Sequence, residues 1–108
     1  MSDAELKKGS AETLILALLA EQHLHGYGIA KRIEEKSDGA LQFHVTSLYP
    51  ILYRLERQGL VRSDWQQPDG GRRRRYYELT SEGQATLLER RASWRSFTDA
   101  VESVIEPA

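Results

Sequence analysis

Residues 46–79 read TSLYPILYRLERQGLVRSDWQQPDGGRRRRYYEL, and the order of patterns in this stretch decides the fold. Thr46 or Ser47 caps a helix whose inward positions, Leu48, Leu52 and Leu55 with Ile51 alongside, recur at helical spacing. Pro50 falls near the first turn, where a missing N–H costs least, and Gly59 supplies the left-handed residue that commonly ends a helix. Leu60 to Trp65 then reads as a strand, Pro68-Asp69-Gly70-Gly71 as a reversal, and Arg74 to Leu79 as the returning strand. The stretch is therefore a helix followed by a single β-hairpin.

Working outward, two more helices precede it. Ala11 to Gln22 places Leu14, Ile15, Leu18 and Leu19 on one face, with Gly9 or Ser10 as cap. His23-Leu24-His25-Gly26 stops that helix, and Tyr27 to Lys36 forms a second, with Ile29, Ala30 and Ile33 inward before the turn Ser37-Asp38-Gly39. Leu41 to Val45 is expected to be a short extended piece. Downstream, Thr80 or Ser81 caps a last helix running to about Val104, with Gln84 three residues after Ser81 as in a capping box. Leu87, Trp94 and Val101 recur every seven residues in it, interleaved by Phe97 and Val104, a seam that Arg90 interrupts. Residues 1–8 are expected to be a flexible N-terminus, 9–80 one domain, and 81–108 the C-terminal helix.

The chain has 108 residues, 40% apolar and 29% charged, which is one compact domain and not a disordered tail. With no cysteine it has neither disulfide staples nor thiolate metal sites nor a cysteine nucleophile. The longest apolar run, Leu14 to Ala20, is far below a membrane span, and the reading is a cytoplasmic protein without a membrane partner. The net charge of −1 conceals a division: residues 1–38 carry −2, residues 39–77 carry +4 and residues 78–108 carry −3. The positive excess lies wholly in the helix-and-hairpin third.

Three helices followed by a two-stranded hairpin with a glycine- and arginine-rich tip is the layout of a winged helix-turn-helix, so the fold class is mainly α with a β-hairpin wing. In that layout the third helix enters the DNA major groove while the hairpin follows the backbone. Arg72, Arg73, Arg74 and Arg75 are the candidate phosphate contacts, although strand alternation turns neighbours to opposite faces and lets about two touch phosphate at once. Base reading falls to His44, Thr46, Ser47, Tyr49, Tyr53 and Arg54, with Ser47 and Tyr49 foremost. Two bland readings stand beside these: the arginines as a solvated hairpin edge, and Tyr49 and Tyr53 as braces between helix and hairpin. One of Tyr76 and Tyr77 packs inward and the other faces out. His23-Leu24-His25 reads as ordinary loop histidines with no metal, Gly26-Tyr27-Gly28 lacks the rest of a dinucleotide fingerprint, and no nucleophile or paired-acid setting marks an enzyme. No cofactor is implied.

Taken together, Gly9 to Leu19, His25-Gly26-Tyr27-Gly28-Ile29, Ser47-Leu48-Tyr49-Pro50-Ile51-Leu52-Tyr53-Arg54-Leu55-Glu56, Gly59-Leu60-Val61 and the run Gly71 to Gly83 resemble the PadR-like transcriptional regulators, in order and over nearly the whole chain. The single C-terminal helix resembles their small subfamily. The resemblance implies a bacterial winged-helix repressor that dimerises through its last helix on an operator with two-fold symmetry, and relatives that sense aromatic or drug-like molecules. The seam of Leu87, Trp94, Phe97, Val101 and Val104 fits that dimer interface, since so small a domain leaves apolar surface for a symmetric partner. Part of it is expected to pack on the chain's own first helix. Trp94 reads as an interface anchor, with stacking on a flat effector as the alternative. The competing function is a winged-helix adaptor that binds another protein through Trp94 and Phe97 and never reads DNA.

Overall fold

The computed structural model describes residues 3–107, with side-chain environments from residue 10 onward. The elements are α1 (Asp3–Glu21), β1 (Leu24–His25), α2 (Gly26–Lys36), α3 (Val45–Arg57), β2 (Val61–Gln66), a single 3₁₀ turn (Pro68–Gly70), β3 (Arg74–Leu79) and α4 (Ser81–Ile105). The helix expected from about Ala11 starts at Asp3, so residues 3–8, read as a flexible N-terminus, are its first turns, and neither Gly9 nor Ser10 caps it. Residues 1 and 2 lie outside the described residues.

The fold is a winged helix. α1 packs against α2, α3, β3 and α4, which is why it is apolar on more than one face: Ala11, Ile15, Leu16, Leu18 and Leu19 are all buried. Into the same core come Ile29 and Ile33 from α2, Leu48, Leu52 and Leu55 from α3, Val61 and Tyr77 from the hairpin, and Leu87 from α4. α3 ends as its sequence predicts, with Gly59 at φ +76° turning the chain directly into β2. The segment Leu41 to Val45 takes no strand: Leu41 and Phe43 pack on the core and Val45 opens α3.

The sheet has three strands in the order β1-β3-β2, all antiparallel. The sequence marks β1 only as a helix stop; its two residues pair Leu24 with Tyr77 and His25 with Tyr76, which ties the base of the hairpin to the helical half. For the same reason Tyr76 does not simply face out. It is half-buried beneath His25, ring centroids 5.2 Å apart edge to face, while Tyr77 is the inward tyrosine.

Thr80, not Ser81, caps α4: its hydroxyl accepts from the Gly83 N–H at 3.0 Å. The first two turns of α4 dock on the domain through Gly83 and Leu87, and the remainder projects outward. That projection gives principal extents of 57 × 29 × 21 Å and a radius of gyration of 15.3 Å, above the roughly 13 Å of a compact chain this size. Leu87, grouped by its seven-residue interval with the interface seam, is therefore corrected: it is 1% exposed in its own chain's core.

Candidate nucleic-acid interface

α3 presents three faces. Leu48, Leu52 and Leu55 point to the core; Thr46, Ser47, Pro50, Tyr53, Arg54 and Arg57 are exposed; Tyr49 and Glu56 lie half-buried toward α2 and the hairpin. His44 is the N-cap residue, in extended conformation, and its imidazole makes no capping bond. The first turn thus offers His44, Thr46 and Ser47 as outward side chains at the end of α3 that a groove-reading helix uses.

Beside this turn lies a cleft of about 280 Å³ between the start of α2, the Tyr49–Tyr53 face of α3 and the arginine end of β3. Tyr49 and Tyr53 stack at 6.1 Å and 15°. Tyr49 is also wedged against Gly26, where an added Cβ would sit 2.9 Å from its ring, so this tyrosine braces α3 on α2. Tyr53 remains exposed.

The four arginines divide by partner. Arg73 lies over the Trp65 ring at 5.3 Å and Arg74 over Tyr27 at 5.4 Å. Arg72 is exposed, and among the described residues none of these three makes an ion pair. Arg75 differs. Its Nη2 lies 3.1 Å from Glu56 Oε1 and its Nε donates to Ser63 Oγ at 2.8 Å, so its charge is paired with α3 at the wall of the cleft. Arg54 is likewise paired, its Nη2 3.3 Å from Glu12 Oε1, while Arg90 holds the other oxygen of Glu12 at 3.1 Å. Arg54 and Arg75, both expected as DNA contacts, thus also tie elements of the fold together. Tyr27, Glu56 and Trp65, not among the expected site residues, belong to this region. Tyr27 and Glu56 carried a signal in the motifs that resemble the family; Trp65 faces Arg75 only in the register of the folded hairpin.

His23 and His25 diverge: His23 Nε2 meets Glu78 Oε2 at 2.9 Å, whereas His25 caps α2, its Nδ1 accepting from the Gly28 N–H at 3.1 Å. His25 is no ordinary loop residue. Burial pushes its pKa below the usual 6.5, and the nearby Arg74 charge adds to the effect. The cap needs the neutral ring, so the unfolded chain takes up the proton first as pH falls. The His25 contribution is complete above pH 6.5 and is lost progressively below it. Urea unfolding midpoints are therefore expected to fall more between pH 7 and 5 for the wild type than for His25→Asn, whose amide caps without titrating; parallel curves would remove this role. At the other extreme, burial pushes the Tyr77 hydroxyl up to about 12, which keeps the core phenol neutral at any physiological pH.

A winged helix that sets the first turn of its third helix beside a cationic, aromatic wing has the architecture of a transcriptional regulator, and the comparisons agree. Residues 15–89 match the Transcriptional regulator PadR-like family, and the chain belongs to it. It is similar to the transcriptional regulator Rv3488 of Mycobacterium tuberculosis, 34% identical over 81% of this chain and 78% of that one. Among solved structures it resembles a PadR family regulator of Eggerthella lenta (33% identity, TM-score 0.80, covering 97% and 89% of the two chains). It also resembles a regulator of Clostridium thermocellum (29%, TM-score 0.86, 98% and 99%). Among the described residues no helix is long and apolar enough to cross a membrane.

Proposed function

We propose that this PadR-like regulator is a homodimeric, sequence-specific DNA-binding repressor acting in the cytoplasm, with residues 9–80 as the DNA-binding unit and α4 as the dimerisation helix. The observation that carries the reading is the meeting of unpaired arginines with an exposed helix start. Arg72, Arg73 and Arg74, without carboxylate partners among the described residues, line one cleft with Tyr49 and Tyr53 of α3, the helix whose start exposes His44, Thr46 and Ser47. Phosphate contacts from the wing hold the protein on the duplex, and the first turn of α3 reads base edges. Trp94, Phe97, Val101 and Val104, all exposed on α4, are what a second copy covers. The two wings then address a two-fold symmetric operator. Trp94 anchors that interface, and relief of repression by a flat aromatic effector stacking on it belongs to the same reading.

Duplex binding measured at several salt concentrations tests it. About two arginines at a time from each of two wings predict a slope of log K against log[salt] of about −4. Arg72→Ala, Arg73→Ala and Arg74→Ala each flatten the slope and weaken all sequences alike, whereas Thr46→Ala or Ser47→Ala changes the preference among sequences. Binding that ignores salt, or no binding at all, rejects the proposal and favours the adaptor role.

A further inference from the structure

The arginine that the wing does not offer to solvent forms a closed ring with its neighbours. Ser63 Oγ donates to Glu56 Oε2 at 2.6 Å and accepts from Arg75 Nε at 2.8 Å, and Arg75 Nη2 returns to Glu56 Oε1 at 3.1 Å. The three residues belong to α3, β2 and β3, so the ring joins the last turn of the groove-reading helix to both strands of the wing. The guanidinium is also flanked by two rings, Tyr53 at 5.9 Å and Tyr77 at 5.8 Å.

We infer that Glu56 is a positioning residue that sets sequence discrimination: it locks the wing to α3 at one angle and withholds Arg75 from the phosphates. The inference rests on the DNA-binding reading above and deepens it. Covalently, the wing leaves α3 through Gln58, Gly59 and Leu60, and Gly59 with φ +76° fixes a turn rather than an angle. Discrimination needs base contacts from α3 and phosphate contacts from the wing to be satisfied in one register. β1 holds only the base of the hairpin, at Tyr76 and Tyr77, and an arginine end free to tilt on that base would find phosphates on any duplex. A carboxylate that takes both the strand hydroxyl and the guanidinium removes that freedom, and it neutralises the one wing cation nearest the helix. Charge-assisted hydrogen bonds of this kind are directional enough to do so.

The test uses the full chain with two probes, a duplex that the wild type recovers from a random-sequence pool and a scrambled duplex of the same composition. Glu56→Ala releases Arg75: the salt slope on the scrambled duplex steepens by about 0.9 for each protomer engaged, and the ratio of the two affinities falls about tenfold or more. Glu56→Gln, which still accepts from Arg75 and reaches Ser63 with its amide, restores most of the ratio. Arg75→Ala lowers the ratio as Glu56→Ala does but leaves the slope at the wild-type value, because Arg75 contacts no phosphate. A mere loss of stability moves neither slope nor ratio in this pattern, and circular dichroism with thermal melting accompanies each variant. Glu56→Ala with wild-type slope and ratio, or Arg75→Ala with a slope flattened by about one unit, overturns the latch alone. A wild type that selects no duplex overturns the parent reading and the latch together.

Discussion

Gly83→Ala is expected to destabilise the domain by about 3 kcal/mol, read as a shift of the urea midpoint at unchanged slope. In an isolated helix the same change is favourable by about 1 kcal/mol, because alanine loses less backbone entropy than glycine. Here the steric term wins. A Cβ on Gly83 would stand 2.0 Å from the Leu60 carbonyl oxygen and 2.7 Å from Leu79 Cδ1. The carbonyl cannot yield, since it accepts from the Thr80 N–H at 3.1 Å while the Thr80 hydroxyl donates to the Gly59 carbonyl at 2.7 Å and caps Gly83. The start of α4 is thereby pinned on the α3–β2 turn, and any side chain at position 83 must pry the two apart. Gly26 is the instructive contrast: a Cβ there meets side-chain atoms of Tyr49 and Val45, which can rotate away. If Gly83→Ala melts like the wild type, α4 does not dock this closely.

What the sequence revealed and what it hid follow one physical division. α3 was legible because Leu48, Leu52 and Leu55 share a face and a left-handed glycine follows; β3 was legible to the residue because an arginine-rich, tyrosine-rich extended run follows a turn. These are local signals. β1 has two residues, too few for any period, and exists because Tyr76 and Tyr77, some fifty positions later, offer a free strand edge. The division of the arginines was hidden for a similar reason. Arg72 to Arg75 are chemically identical, and only the return of Glu56, 19 residues earlier, makes Arg75 structural. Arg54 reads as an exposed helical cation until α1 brings Glu12 to it. The heptad interval misled at Leu87 because periodicity assigns a stripe but not its partner; the stripe begins in the chain's own core and continues into solvent from Leu88 onward.

That solvent-facing continuation bears the other large effect. In the dimer proposed above, Phe97→Glu is expected to separate the copies into monomers in sedimentation, with the proposed specific DNA binding weakened at least a hundredfold. Trp94 and Phe97 pack ring to ring at 6.0 Å yet remain 47% and 53% exposed, and Val101, Val104 and Ile105 extend the stripe along the projecting half of α4. Aromatic side chains of this size dominate interface energetics, and a symmetric contact counts each of them twice. Glutamate at position 97 replaces ring area that the proposed dimer covers with two carboxylates that must be desolvated near the same axis, a penalty on the order of 4 kcal/mol, or about a thousandfold in the dimer constant. Folding of the monomer should survive, because Phe97 lies outside the core that α1, α3 and Leu87 build. The loss of DNA binding then follows from geometry: one wing and one helix engage half of a symmetric operator, and the second half-site no longer adds to the affinity. A Phe97→Glu protein that sediments and binds as the wild type does would leave the exposed stripe without a partner of its own kind and return it to the adaptor reading.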